Sequence, residues 1–179
     1  MPEPVKPKAC KVCKEPFEPW ATTQRVCSQR CALDEVKAKQ AKAYAKETSR
    51  LRREHRASDR AYQLKLAQAA FNAYIRERDP QSKGCISCGS TTGKWTAGHY
   101  KTDKSLRFHE DNCHGQCWFN CNSNKSGNIA EYRPRLVEKI GLERVEALET
   151  YHPPPKLTID EIIEIKERYK AKLKALSEK

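Results

Sequence analysis

The chain has 179 residues, enough for one domain or two small ones, and its 35 basic and 23 acidic residues leave a net charge of +12. Apolar residues make up 37% and mean hydropathy is -0.90, so a conventional core would be thin. The start, MPEPVKPKAC, has no apolar h-region, and no window approaches the run of about 18 apolar residues that a membrane span needs.

The expected location is therefore the cytoplasm, a reducing compartment in which clustered cysteines bind metal in preference to forming disulfides. Nine cysteines are available to offset the thin core. The basic balance is a usable footprint for nucleic acid, although a merely basic, soluble protein would show the same charge.

The first cluster is Cys10, Cys13, Cys27 and Cys31, written C-x2-C, thirteen residues, C-x3-C. Two close thiolate pairs suit a tetrahedral zinc ion, each pair gripping one edge. The intervening KEPFEPWATTQRV is long enough for a hairpin, with Phe17, Trp20 and Val26 as a miniature core. Spacing of this kind is a strong signal for zinc and a weak one for function. It fits a purely structural knuckle first and a docking site for DNA or a partner second.

Residues 33–60 are rich in Ala, Lys, Arg and Glu and have no Gly or Pro, which favours helix. The apolar positions form no broad stripe. A solvated spacer and an arm lying on a phosphate backbone both fit, with Arg50, Arg52, Arg53 and Arg56 as the contacts in the second case. His55 reads as an exposed helix residue. A better amphipathic helix follows, with Tyr62, Leu66, Ala69, Ala70, Ala73 and Arg76 on one face. Leu64, Phe71, Tyr74 and Ile75 broaden that face, Asp79-Pro80 ends the helix, and packing on a second metal module is expected.

That module opens with Cys85-x2-Cys88 between Gly84 and Gly89. Its partner pair stays open on spacing: Cys113 with Cys117 fits as well as Cys117 with Cys121, and His109 or His114 could replace one sulfur. Residues 97–128 are so polar that they read as a surface loop or a metal-organised site and not as core. KWTAGHY alternates like a short strand ending near His99, CHGQC suits the return strand, and NCNSNKSGN would open a helix at Asn122. The result is a zinc-stapled ββα unit with His99 close to Asn122. A structural zinc can contribute on the order of 10 kcal/mol of apparent folding free energy.

Two short helices meeting near Gly141 come next, the first with Ile129, Tyr132, Leu136, Val137 and Ile140 and the second with Leu142, Val145 and Leu148. Prolines 153–155 form a stiff connector. Thr158 and Glu161 form a capping box for a last helix, whose buried stripe is Ile159, Ile162, Ile163, Tyr169, Leu173 and Leu176.

The arrangement C-x2-C, G-H, N-x4-C, C-N-x2-K resembles the HNH, or ββα-metal, endonuclease motif. The wider sequence is similar to the lambdoid-phage recombination protein family NinG, also called Rap, through FNAYIRERD, CISCG, AGHY, LRF, QC, CN and KSGN, then YR and IG. The resemblance spans nearly the whole chain and is densest between residues 68 and 150. It implies a structure-specific endonuclease acting on branched recombination intermediates such as Holliday junctions, in the cytoplasm of a bacterial host. It further implies zinc on Cys85, Cys88, Cys117 and Cys121, with Cys113 as the odd thiol in an apolar position. His99 becomes the general base, Asn112 the loop-orienting residue and Asn122 the metal-facing position.

The roles also follow from the chemistry. Phosphodiester hydrolysis needs an activated water and charge neutralisation at the phosphate. A neutral imidazole near pKa 6.5 can take the water's proton. The hard oxygen of Asn122 suits Mg2+ or Mn2+, and zinc held by four thiolates has no open position, so it is structural. His114 is grouped with the catalytic set, as a second metal-site residue or as one satisfying a local hydrogen bond. Lys101, Lys104, Arg107 and Lys125 are the phosphate contacts nearest the centre; His109 and His152 receive no role. Three departures from the motif stand out. Gly98 occupies the place where many HNH enzymes carry Asp, with Asp103 or Asp111 as substitutes. Asn122 stands where the general motif has its final His, as in the junction-resolving branch, and Cys117 and Cys121 are three residues apart where two is usual.

The fold class expected is α+β and predominantly helical. An N-terminal four-cysteine zinc module (1–32) and a basic helical spacer (33–60) precede an HNH-like core with flanking helices (61–150), a proline linker and a C-terminal helix (151–179). The function expected is a Mg2+- or Mn2+-dependent endonuclease for branched DNA, with a homodimer convenient for paired cuts and no membrane partner. The alternative is a non-catalytic zinc-finger DNA-binding protein. An RNA-binding module is a weaker third, since no aromatic stacking platform is evident.

Overall fold

The computed structural model describes residues 6–150 and 152–178. The start of the chain, which carries the leader reading, and Tyr151, at the head of the proline linker, lie outside the described residues. No helix among the described residues is long and apolar enough to cross a membrane. Among the described residues the chain is helix-rich with two small two-stranded sheets, and it divides into two compact units, one ending at His55 and one beginning at Arg56.

In the first unit, β1 (Lys8–Ala9) pairs antiparallel with β2 (Pro16–Phe17), so the hairpin wraps the first cysteine pair and does not lie between the pairs as expected. Trp20 is 84% exposed and takes no part in a miniature core, while Phe17 and Val26 are half-buried. Helix α1 (Gln29–Ser58) begins earlier than the composition suggests, because Cys31 sits in its first turn and is drawn to the other cysteines. Cys31 is the one buried residue of α1, so the helix rests on the propensity of its Ala, Lys, Arg and Glu residues and on pairs such as Glu47–Arg50.

In the second unit, the carboxylate of Asp59 caps α2 (Arg60–Arg78) by accepting from the amides of Ala61 and Tyr62. The face that α2 buries runs Gln63, Ala67, Phe71, Tyr74, Ile75, rotated from the expected Tyr62–Leu66–Ala69 stripe because the bulkiest side chains set the contact. Strands β3 (Trp95–His99) and β4 (Cys113–Cys117) form an antiparallel hairpin in which Trp95 pairs with Cys117 and His99 with Cys113. Helices α3 (Ile129–Ile140), α4 (Leu142–Glu149) and α5 (Ile159–Ser177) follow, the last with the Thr158–Glu161 capping box.

The hairpin is the middle layer. Alternation sends Ala97 and Cys113 to one face, where they pack with Phe71, Tyr74 and Ile75 of α2 and Tyr169 of α5. On the other side, Tyr100 and Leu106 from the adjoining loop pack with Tyr132 and Leu136 of α3 and Val145 and Leu148 of α4. A fully buried Phe or Ile in these clusters contributes about 1.5–3 kcal/mol. All five residues of β4 are buried, which corrects the expectation that so polar a stretch could not be core.

Most of its polar groups are admitted because they find partners; Gln116 Oε1 is the exception among the described residues, buried without a hydrogen-bond partner. Gln116 donates to Ser87 Oγ and to the Gly127 carbonyl, each at 2.6 Å, and Tyr132 Oη donates to the Gly98 carbonyl at 3.1 Å. Asp79, just past α2, clamps the hairpin. Its carboxylate takes Arg78 at 2.7 Å, Lys139 at 3.0 Å and the Gly115 amide at 3.2 Å, and its carbonyl takes Trp95 Nε1 at 3.0 Å. Burial works against ionising Asp79, but Arg78 and Lys139 outweigh it and hold its pKa at about 2.

Candidate metal centres and active-site cleft

Two groups of four sulfurs come together: Cys10, Cys13, Cys27 and Cys31 in the first unit, and Cys85, Cys88, Cys117 and Cys121 in the second. The sulfurs of each group lie within 4.8 Å of one another. Zinc–sulfur bonds of about 2.3 Å in a tetrahedron place neighbouring sulfurs about 3.8 Å apart. Cys13–Cys27 and Cys27–Cys31 are separated by 3.6 Å and Cys88–Cys117 by 3.7 Å, which fits zinc and is far beyond a disulfide bond. Both sites could hold a structural zinc ion. The second set is the one that left Cys113 aside, and that thiol lies in the core cluster with burial pushing its pKa up.

The three-residue gap between Cys117 and Cys121 is resolved by a π-helical turn over Trp118–Ser123. A π turn carries one more residue than an α turn, so the extra residue is absorbed and both sulfurs still reach the cluster. The Asn124 amide donates five residues back to the Phe119 carbonyl at 3.0 Å, and Gly127 donates to the carbonyls of Cys121 and Asn122 at 2.9 and 3.2 Å. Asn122 therefore does not open a helix as expected. It lies within this turn, and α3 starts at Ile129 after Asn128, whose φ is 49°.

His99 ends β3. Its Nε2 lies 3.0 Å from the Arg107 carbonyl, which can only accept, so Nε2 carries the proton and Nδ1 keeps its lone pair. Nδ1 has the Cys113 sulfur as a weak neighbour at 3.7 Å. Burial, partly countered by the Arg107 carbonyl, lowers the pKa of His99 below 6.5, so the ring is neutral near pH 7. The ring packs beside Phe71 with centroids 6.0 Å apart.

His99 opens onto a shallow cleft shared with Lys101, Thr102 and Asp103, which continues to Lys104 and Arg107 on one side and to Ser126 and Ile129 on the other. Asp103 accepts from the Ser105 amide at 2.8 Å and its hydroxyl at 2.7 Å, contacts that lower the Asp103 pKa and keep it ionised. Asp111, the other candidate substitute for the missing Asp, is ion-paired with Arg144. Asn122 is not among the described residues lining the cleft. It is linked to the end of β3 through Gly127, whose amide bonds the Asn122 carbonyl and whose Cα would carry a Cβ 3.8 Å from the His99 carbonyl oxygen.

Asn112 is fully buried and holds the cleft loop. Its amide donates to the carbonyls of Lys101 at 2.9 Å and Leu106 at 3.2 Å, and its oxygen accepts from the Lys101 amide at 2.8 Å. Gly98 is glycine because a Cβ there would meet Gln116 Oε1 at 2.1 Å. His114, grouped with the catalytic residues on sequence, lies on the opposite face of the hairpin from His99. It is 2% exposed, its Nδ1 is 3.2 Å from Tyr132 Oη, and burial lowers its pKa to about 3. That corrects its grouping: His114 is a neutral core histidine.

Among the phosphate contacts expected on sequence, Lys101, Lys104 and Arg107 line the cleft, while Lys125 is exposed in the loop after the π turn. In α1, Arg50 is ion-paired with Glu47, and Arg52 and Arg53 are exposed; Arg56, assigned to the second unit, lies 5.5 Å above the Tyr62 ring. Sequence reasoning missed Arg107 as the carbonyl that orients His99, and no local pattern could have revealed it.

The family model described as "Bacteriophage Lambda NinG protein" matches residues 2–179. A protein ninG of Escherichia phage 933W is 40% identical over 98% of this chain and 96% of its own length. The protein ninG of Escherichia phage lambda is 48% identical over 65% of this chain and 58% of its own, and that of Salmonella phage P22 is 47% identical over 65% and 59%. No solved structure matches the chain. This chain belongs to the NinG family of lambdoid phage proteins.

Proposed function

We propose that this protein is a divalent-metal-dependent endonuclease of the HNH type that cleaves branched DNA, with His99 as the general base. The observation that carries the reading is the state of His99: a neutral imidazole, its Nε2 proton committed to a backbone carbonyl, placed at a cleft lined by Lys101, Lys104 and Arg107. Nδ1 is then the atom that takes the proton of an attacking water. The three cations neutralise a phosphate held against the cleft. Asn112 keeps the loop that carries them in place.

The donor set beside His99 suits a hard cation. Asp103 offers an ionised carboxylate in the cleft and takes the part of the Asp absent at Gly98, while Asn122 is joined to Gly127 through its carbonyl. Mg2+ or Mn2+ bound there would supply Lewis-acid polarisation of the phosphate and relief for the leaving oxygen. The two zinc sites hold the fold and do no chemistry.

The test is incubation of the purified protein with Mg2+ or Mn2+ and four-way junctions, forks and duplexes. Junctions and forks should be nicked, and His99→Ala should bind them with cleavage reduced at least about 100-fold. If all three DNA forms stay intact, or if His99→Ala cleaves normally, the enzyme reading fails and a zinc-stabilised DNA binder takes its place.

A further inference from the structure

The π turn begins with two aromatic residues that the core does not use. Trp118 is 39% exposed and Phe119 is 61% exposed, in a chain whose apolar share is already low. Their rings lie 6.5 Å apart at an interplanar angle of 33°. They are not on a loose loop. Cys117 and Cys121 of the second zinc set flank them, and the Trp118 amide donates to the Lys94 carbonyl at 2.7 Å. Lys94 Nζ stands 4.9 Å from the Trp118 ring centroid, over one face of that ring, and Asn120, Asn124 and Lys125 are exposed in the same stretch of chain. The surface therefore presents two apolar rings tilted by 33°, one of them with an ammonium over one face.

A nucleobase carried on a phosphate backbone has the complementary chemistry: a flat π face for the rings and anionic charge for Lys94 and Lys125. In a duplex, both faces of each base are covered by its neighbours. A free face exists in a single strand or at a branch point. We infer that Trp118 and Phe119 form a stacking platform for unpaired bases of a DNA strand, an inference that rests on the nuclease reading for its choice of DNA. The hairpin sets the spacing: Trp95 pairs with Cys117 at the platform end and His99 with Cys113 at the cleft end. Four residue steps separate the two ends, about 13 Å along the strand, or about four stacked bases. The platform would thus read whether DNA is unpaired a few nucleotides from the position to be cut.

The experiment measures binding without added Mg2+ or Mn2+, so that no cutting occurs. The probes are a single strand, a four-way junction with 2-aminopurine at its branch point and a matched duplex. The Trp118→Ala/Phe119→Ala protein should bind the single strand and the junction about tenfold or more weaker, with the duplex changed less than about threefold. Quenching of 2-aminopurine should be lost with it, and Trp118→Phe/Phe119→Tyr should restore both. Zinc content and helicity check the fold. If the double variant loses either, Phe119→Ala alone is compared. An equal loss on duplex, no loss on any probe, or a loss seen with single-stranded RNA and not DNA overturns the inference. A protein that stacks bases but cuts nothing refutes the nuclease and leaves the platform standing; one that cuts and binds normally with both aromatics removed refutes the platform alone.

Discussion

Gly98→Ala is a one-carbon change with a large expected cost. The added Cβ would lie 2.1 Å from Gln116 Oε1, 2.9 Å from its Cδ and 3.0 Å from its Cβ, where ordinary contacts begin near 3.4 Å. Gln116 has nowhere to move: it is fully buried, and its amide nitrogen donates to Ser87 Oγ and the Gly127 carbonyl at 2.6 Å each. Overpacking costs about 1–3 kcal/mol, and pulling the amide off its acceptors adds about 1–3 kcal/mol. The total is about 2–6 kcal/mol, roughly 8–23 °C in melting temperature for a unit of this size. Urea and thermal unfolding measure it directly. Gln116→Ala should recover part of the loss in the double variant, with a coupling of about 1–2 kcal/mol. A Gly98→Ala protein within about 0.5 kcal/mol of wild type, or strict additivity of the two changes, would refute the reasoning. The same contact bars a carboxylate at 98, so Gly98→Asp should unfold the hairpin and restore no metal ligand.

Cys113→Ala should keep two zinc ions per chain and Cys121→Ala should keep one, as read by metal release to a colorimetric chelator. Equal stoichiometry in the two variants would overturn the ligand assignment. Asn112→Ala removes three hydrogen bonds inside a buried site and should cost about 2–4 kcal/mol, with faster amide hydrogen exchange across residues 100–112; unchanged exchange there would sink its bracing role. Cleavage should rise with pH and level off as His99 loses its proton. Burial lowers that pKa, so the half-maximal point is expected below 6.5, and one above 7 would exclude His99 as the base.

What the sequence revealed was local. The strands at Trp95–His99 and Cys113–Cys117, the end of α2 at Asp79 and the capping box at Thr158 depend on near neighbours, and each is present. Cysteine spacing left two pairings open, since Cys113 and Cys121 are equally distant from Cys117 along the chain; only packing separates a core thiol from a ligand. His114 was misassigned because its partner, Tyr132, lies eighteen residues away on α3. The rotated face of α2 and the exposure of Trp20 were likewise decided by contacts that periodicity does not encode. Polar β4 was read as surface because its buried partners, Ser87 and Gly127, are remote in sequence.

The π turn at Trp118–Ser123 would give a metal on the second cysteine set a reach beyond its own ligands. A widened turn is a rare, weakly favoured arrangement of free polypeptide, and here one cysteine precedes it and another lies within it. With zinc on those sulfurs, losing the ion would free the corner to rewind by a residue, swinging Asn122 and the paired rings away together. The corner would then depend on the supply of zinc, as a latch depends on its pin.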